Sequence, residues 1–227
     1  MEAGFGAFGK MPSVGDFFRI NMPGGFVRLW DGWLQQVLLA GQSAYGTAFD
    51  RSYMSAPIWR FSLPAGLAGP EKLTGVLMPS VDRVGRRFPL TLVAPLATPG
   101  PAALDHFTDT KLFEQLEAIA LDALEDSMTQ DKLSAALGAV QPPAMRAVAP
   151  LRTSGNTLVL TGAGQTEDLP NTVAAALLDS RAADTSIWTA VLDSGPRMMM
   201  CPGLPQGGAA MGLFDLTAPI WREARPL

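Results

Sequence analysis

The clearest hydrophobic pattern in the chain is helical and covers residues 26–39. Apolar side chains recur there every three or four positions, as on one face of a helix. They are Phe26, Trp30, Trp33, Leu34, Val37 and Leu38. Gly41 stands where a left-handed cap would end such a helix. We therefore predict a helix over 26–39 whose tryptophans pack against a sheet.

Shorter apolar runs predict the strands of that sheet. Residues 57–63 alternate, with Ile58, Arg60 and Ser62 on one face and Trp59, Phe61 and Leu63 on the other. The runs at 73–78 and 88–96 are joined by about nine residues, which is too short for a helical crossover and favours antiparallel pairing. Further strands are predicted at 4–10, 145–149, 156–161, 186–192 and 197–201.

A second long helical pattern covers residues 110–128. Its apolar stripe comprises Leu112, Leu116, Ile119, Ala120 and Ala123, with Phe113 and Leu124 at the edges. Its other face is acidic and is interpreted as solvated helix surface; the acidic residues are Glu114, Glu117, Asp122, Glu125 and Asp126. Shorter helices are predicted at 131–137 and 171–181. Because the proline-rich joints at 98–101 and 141–150 are short, we predict one α+β domain over 1–227, with a mostly antiparallel central sheet and helices on its faces.

Composition narrows the class of protein. The 227 residues are 48% hydrophobic, enough for a substantial core, yet no apolar run reaches the ~18 residues of a membrane span. The net charge is −4 and no long basic run is present, so nucleic acid is not an expected partner. The first residues lack the pattern of a signal peptide, and a single cysteine suits a reducing cytoplasm. We expect a cytoplasmic protein that does not insert into membranes.

The residues that usually carry catalysis or bind metals are scarce. The only histidine, His106, is interpreted as a surface or capping residue, and one histidine with one cysteine makes a zinc site unlikely. Gly4, Gly6 and Gly9 match GxGxxG, but no helix begins at the third glycine, so we interpret this segment as a closely packed strand. The methionines at 198–200 are interpreted as core filling in a strand. We therefore expect no catalytic set, cofactor or metal, and no enzyme.

A charged turn, PSVDRVGRRFPL at residues 79–90, joins two apolar strands. Its charges must either pair internally or be displayed to a partner, because unpaired charges are almost never buried. Arg87 is expected to point outward, since Phe88 must turn inward. Asp16, in the loop at 12–16, is expected at the same end of the sheet. The hypothetical partner-binding residues are Asp16, Asp82, Arg83, Arg86 and Arg87; an internal pair between Asp82 and an arginine is the structural alternative.

Three motifs in order resemble the TagF family associated with type VI secretion. The family patterns are GKxPxxGDF, WDxWL and PSxDxxGRxFPL. They correspond here to GKMPSVGDF from Gly9, WDGWL from Trp30 and PSVDRVGRRFPL from Pro79. The resemblance is close over about the first 100 residues and looser beyond Pro101, and Val14 stands where many members carry arginine.

The resemblance implies a longin-like α+β domain and a regulatory role. Members are understood to repress type VI secretion after translation by binding the forkhead-associated scaffold protein of the secretion machinery. Two other functions stay open. One is a structural adaptor that does not inhibit secretion, and the other is a phosphate-handling enzyme that uses Asp82 or Asp16 with Arg86.

Overall fold

The computed structural model describes residues 4–162 and 168–226, and its centre is a seven-stranded antiparallel sheet. The strands of this sheet, in chain order, are β1 (Gly6–Gly9), β2 (Phe18–Ile20), β3 (Trp59–Leu63), β4 (Lys72–Met78), β5 (Leu90–Leu96), β8 (Thr185–Ala190) and β9 (Arg197–Pro202). Their spatial order is β2-β1-β5-β4-β3-β8-β9. Two further strands, β6 (Leu151–Ser154) and β7 (Thr157–Leu160), form a separate hairpin. The predicted α+β fold with an antiparallel central sheet is confirmed.

Helices cover both faces of the sheet. In the described ranges they are α1 (Phe26–Tyr45), α2 (Ala48–Met54), α3 (Ala102–Thr108), α4 (Thr110–Asp122), α5 (Gln130–Gly138), α6 (Leu169–Arg181), α7 (Gly207–Phe214) and α8 (Pro219–Glu223). Helices α1, α2, α7 and α8 pack on the face that carries Trp59, Phe61 and Leu63. Helices α3 to α6 pack on the opposite face. The predicted alternation along β3 is therefore confirmed.

Strands β4 and β5 form the middle of the sheet and pair antiparallel, with Met78 opposite Leu90, as predicted. Both are buried along nearly their whole length because helices cover both faces. The turn between them therefore emerges from the buried middle of the sheet.

The tryptophans of α1 lie in the core, as predicted. Trp30 and Trp33 are 0% and 7% exposed. The Trp30 ring stacks on that of Trp188, with centroids 6.0 Å apart. Its indole N–H donates to the hydroxyl of Thr91 at 2.8 Å, so a buried polar atom keeps a partner.

Helix α1 continues beyond the predicted end at residue 39. Gly41 lies inside the helix, and the chain leaves it only at Gly46, whose φ of 55° is left-handed. The ring of Phe49 in α2 occupies the space where a side chain at Gly41 would lie. Gly41 is thus required for the contact between two helices, and its interpretation as a cap was wrong.

Two further predictions were wrong in the second half of the chain. Residues 145–149 form no strand; Pro143 and Pro150 lack amide donors, and the guanidinium of Arg146 holds this segment by hydrogen bonds to Asp105 and Asp109. Helices α3, α7 and α8 were not predicted, because a proline precedes α3, paired glycines begin α7 and a proline begins α8. The chain after residue 202 contributes α7 to the core.

His106 is buried, with 6% of its surface exposed, so its interpretation as a surface or capping residue was wrong. Nδ1 lies 3.0 Å from the hydroxyl of Ser62, and Nε2 lies 2.9 Å from that of Thr189. Burial, with a smaller contribution from the nearby positive charge of Arg60, lowers the pKa of His106 to about 3. The imidazole is therefore a neutral link between two strands of the sheet.

The glycine-rich strand β1 packs closely, as predicted, whereas the methionines of β9 are only partly buried. Backbone carbonyl groups of Asn21 and Pro89 lie where side chains at Gly6 and Gly9 would project, which confirms close packing. Of the three methionines in β9, Met199 is buried, whereas Met198 and Met200 are 42% and 45% exposed. Core filling is therefore correct for one methionine of the three.

Candidate functional site

The charged turn between β4 and β5 closes on itself through backbone hydrogen bonds. The amide of Asp82 donates to the carbonyl of Arg86 at 3.0 Å, and the amide of Gly85 donates to the carbonyl of Asp82 at 2.9 Å. Gly85 has a φ of 82°, a left-handed conformation that glycine adopts at little cost. These contacts give residues 82–86 a defined shape at the end of the sheet.

The carboxylate of Asp82 is the internal anchor of this turn. It is 2% exposed and accepts four hydrogen bonds. Oδ1 accepts from the amides of Val84 and Arg86 at 3.1 and 2.9 Å, and Oδ2 accepts from Lys10 Nζ and Arg86 Nε at 3.0 and 2.7 Å. The predicted structural alternative, an ion pair between Asp82 and an arginine, is confirmed.

These hydrogen bonds determine the charge state of Asp82. Burial alone would raise the pKa of this carboxyl, but donation by the Arg86 amide, Lys10, the Arg86 guanidinium and the Val84 amide outweighs burial. The pKa of Asp82 is therefore held well below its ordinary value of 3.8. The stabilisation that this shift provides is complete above that ordinary pKa and declines as the pH falls below it.

Lys10 is the residue of this site that the sequence did not predict. It follows β1 directly, is 5% exposed, and places Nζ 4.7 Å from the centre of the Phe17 ring. The ammonium is thus held between a carboxylate and an aromatic face, both of which favour a cation. Lys10 belongs to the GKxPxxGDF pattern and follows an apolar strand, but nothing nearby in the sequence indicated a carboxylate 72 positions away.

The loop at residues 12–16 packs directly against the turn. The amide of Arg83 donates to the carbonyl of Val14 at 3.0 Å, and Nη2 of Arg86 donates to the carbonyl of Gly15 at 2.7 Å. An added Cβ on Gly15 would lie 3.0 Å from the guanidinium of Arg83. Asp16 is exposed, and its carboxylate accepts a hydrogen bond from the amide of Phe17 at 2.8 Å. The expectation that Asp16 and these arginines share one end of the sheet is confirmed.

Three phenylalanine rings pack together between the charged turn and the 12–16 loop. Phe17 meets Phe88 edge-on with centroids 4.7 Å apart, and Phe8 lies 5.7 Å from Phe88. These rings come from β1, the loop that follows it and the end of the turn. The apolar cluster therefore fixes the two polar segments relative to each other.

The side chain of Arg87, the remaining arginine of the turn, is less exposed than expected. Arg87 pairs with Asp50 of α2, and its side chain is 31% exposed, against 58% for Arg86. This reverses the expected order, in which Arg87 pointed outward most. The backbone explains it, because an antiparallel bridge between Val81 and Arg87 turns this side chain toward α1 and α2.

Next to Arg87 the surface is concave. A recess of about 430 Å³ lies between the turn and the first two helices; its walls are Leu38, Gln42, Phe49, Gly85, Arg86 and Arg87. Tyr53 of α2 fixes this arrangement through two hydrogen bonds with the backbone of Ser80, at 2.8 and 3.0 Å. The turn is thus attached to α2 on one side and to the 12–16 loop on the other.

The exposed part of this end is cationic. Arg83, Val84 and Arg86 form its outer surface, and Val84 is 70% exposed. Among the residues that the structure describes, Arg83 makes no ion pair, and the single carboxylate of Asp82 is shared by Lys10 and Arg86. Such a rigid, locally positive surface suits recognition of acidic groups.

Within 4–162 and 168–226, no three or more His, Cys, Asp and Glu side chains are grouped to hold a metal ion. In the same ranges, no helix combines the length and apolar character needed to cross a membrane.

Comparison with known proteins connects a segment of this chain with a secretion system. Residues 6–140 match the model of the TagF N-terminal domain family, described as type VI secretion system-associated. The crystal structure of PA0076 from Pseudomonas aeruginosa PAO1 is similar over 98% of this chain and 97% of that one, with a TM-score of 0.78 and 30% identity. No curated protein matched the chain.

Proposed function

Because the chain belongs to the TagF N-terminal domain family, which is associated with type VI secretion, we propose that it is a repressor of that secretion. It would act in the cytoplasm after translation, by binding the forkhead-associated scaffold protein of the secretion machinery. The contact would be made by the end of the sheet that carries the charged turn.

One observation carries this proposal. Two family motifs, at residues 9–17 and 79–90, meet in space and are joined by the Lys10–Asp82 and Arg86–Asp82 ion pairs. This framework holds the exposed side chains of Arg83 and Arg86 on a fixed backbone. Because the loop is ordered before binding, a partner would not have to offset that ordering entropy.

The geometry favours binding over the phosphate-handling alternative. Asp82 is enclosed and its oxygens already accept four hydrogen bonds, which leaves it poorly placed to act as a base or nucleophile. Its part in the proposed function is therefore to position Arg83 and Arg86. Asp16, which is exposed beside them, would lie at the rim of the contact.

The scaffold contact can be tested with purified proteins. We expect the wild-type chain to bind the scaffold in isothermal titration calorimetry, and we expect Arg83→Glu to weaken binding by about tenfold or more. Arg152→Glu is the matched control, because it makes the same charge change at an exposed arginine on the β6–β7 hairpin. Absence of wild-type binding would refute the scaffold as partner, and equal losses in both variants would refute the turn as contact surface.

Repression requires a separate measurement in cells. Overproduction of the chain should reduce export by the type VI system, and overproduction of Arg83→Glu should reduce it less. If export is unchanged although the scaffold is bound, the structural-adaptor alternative is correct.

A further inference from the structure

A second recess adjoins the charged turn and is lined mostly by apolar residues. Its volume is about 400 Å³, and it lies between the ends of α2 and α4. Pro12, Pro79 and Val81 form the wall that it shares with the loop and the turn. We call this recess the α2–α4 groove.

The side chains at its rim are large, apolar and exposed. Met54 is 56% exposed, Leu121 is 54% exposed and Leu124 is 40% exposed. Leu121 lies in the last turn of α4 and Leu124 in the turn that follows it, where the Leu124 amide donates to the Leu121 carbonyl at 3.0 Å, and both side chains line the recess. Single exposed apolar residues are ordinary, but three around one concave recess mark a contact surface.

Acidic residues accompany the α4 side of the groove, whereas the side formed by the charged turn carries arginines. Asp122, Glu125 and Asp126 are sequence neighbours of the two leucines and are exposed outside the lining of the recess, and none of them makes an ion pair among the described residues. In contrast, Glu117, one turn earlier, is neutralised by two hydrogen bonds from Arg60, at 2.7 and 2.8 Å. The interpretation of the acidic face as solvated surface was therefore wrong for Glu117. Next to the groove, the charges of Asp122, Glu125 and Asp126 are left available.

The groove is continuous with the candidate interaction surface. Ser80 and Val81 belong both to the charged turn and to the groove wall. Every residue of the groove, from Pro12 to Leu124, lies in the 6–140 segment that matches the secretion-associated family. One partner could therefore cover both the turn and the groove.

We propose that the α2–α4 groove binds a short segment of the partner protein that inserts apolar side chains and carries lysine or arginine next to them. The apolar anchors would cover Met54, Leu121 and Leu124. The basic residues would face Asp122, Glu125 and Asp126, which explains why this wall keeps its charge. This proposal rests on the proposed function, because its test uses the scaffold protein as the probe. It adds to that function the chemistry of the partner segment that the groove recognises.

The test compares the groove with a matched exposed position. In calorimetry with the purified scaffold, Leu121→Asp should weaken binding by about tenfold or more. Leu39→Asp, which changes a 72% exposed leucine on α1, should alter it by less than about twofold. Glu125→Lys should also weaken binding. Unchanged affinity for Leu121→Asp, or stronger binding of Glu125→Lys, would overturn the inference.

A second measurement separates this inference from the proposed function. A photo-cross-linking phenylalanine analogue is placed at position 121, and the cross-linked segment is located by mass spectrometry after irradiation of cells. If the wild type does not bind the scaffold, the proposed function fails, but a cross-link to an apolar segment with adjacent lysine or arginine still supports the groove. A cross-link to a second copy of this chain or to an acidic segment, or no cross-link, refutes it.

Discussion

At the scale of single residues, the chain keeps several polar groups inside the fold and gives each a specific partner. Asp82 and His106 show two ways of doing so. Asp82 stays charged because four donors surround it, whereas His106 stays neutral because burial beside Arg60 disfavours its cation. Asp82 therefore fixes the charged turn, and His106 links β3 to β8 through the hydroxyl groups of Ser62 and Thr189.

His106 makes a prediction about pH. Its pKa in the folded chain, about 3, lies below the ordinary value of 6.5, so the unfolded chain takes up a proton first as the pH falls. The contribution of neutral His106 to the free energy of unfolding should be fully present above pH 6.5 and should decrease toward pH 3. The slope from this group should be at most about 1.4 kcal/mol per pH unit.

Urea unfolding of the wild type and of His106→Asn between pH 5 and 7 measures this effect. Because His106 is the only histidine, the difference between the two slopes belongs to it alone. Parallel curves would show that the imidazole titrates normally in the folded chain.

Residue roles were the least predictable part of the molecule. The pairing of Asp82 with an arginine followed from the rule that buried charges have partners. Lys10 could not be assigned in the same way, because its carboxylate partner is distant in the sequence and only the pairing of β1 with β5 brings it close. His106 was misjudged because polar neighbours in the sequence gave no sign that α3 packs on the sheet.

At the scale of elements, hydrophobic periodicity predicted most strands and the long helices, but it did not predict how helices meet. The end of α1 is an example. Glycine usually signals a helix end, yet Gly41 lies inside α1 because the Phe49 ring of α2 packs against its bare backbone. Tertiary contact, not local propensity, explains this glycine.

Two alanine substitutions in α1 should therefore have opposite effects. Gly41→Ala should destabilise the protein by about 1–3 kcal/mol, because the new methyl group overlaps the Phe49 ring. Gly32→Ala, in the same helix with no atom within 4 Å of the new position, should stabilise it by up to about 1 kcal/mol. Thermal and urea unfolding measure both changes. If Gly41→Ala is also stabilising, α1 and α2 do not pack as described.

At the scale of the whole molecule, the sheet and its core extend beyond the segment that matches the family. Strand β8 pairs with β3, and Trp188 stacks on Trp30. Near the C-terminus, the carbonyl of Leu213 accepts a hydrogen bond from the Trp59 indole at 2.7 Å. Residues after 140 thus complete the hydrophobic core of residues 6–140, although the sequence resemblance there is weak.

The segment 6–140 alone should therefore fail to fold cooperatively. Without β8 and α7 it would expose the edge of β3 and the apolar face that packs on α1. Circular dichroism on heating should show no sharp transition for this fragment. A chain that ends at Ala218 is the control; it loses only α8 and the Trp221–Trp59 stacking, and should melt cooperatively at a lower temperature. A fragment 6–140 that melts like the full chain would contradict this view of the core.

The bond between Lys10 and Asp82 has a consequence for the timing of activity during synthesis. The two residues are separated by 72 positions, so the charged turn reaches its final geometry only after the first strand has docked beside the fifth. A full-length chain that has not completed this docking still contains every arginine of the turn, but it lacks the ion pair that positions them. If the turn contacts a partner as proposed, only chains that have completed this docking would present the arginines in the binding geometry.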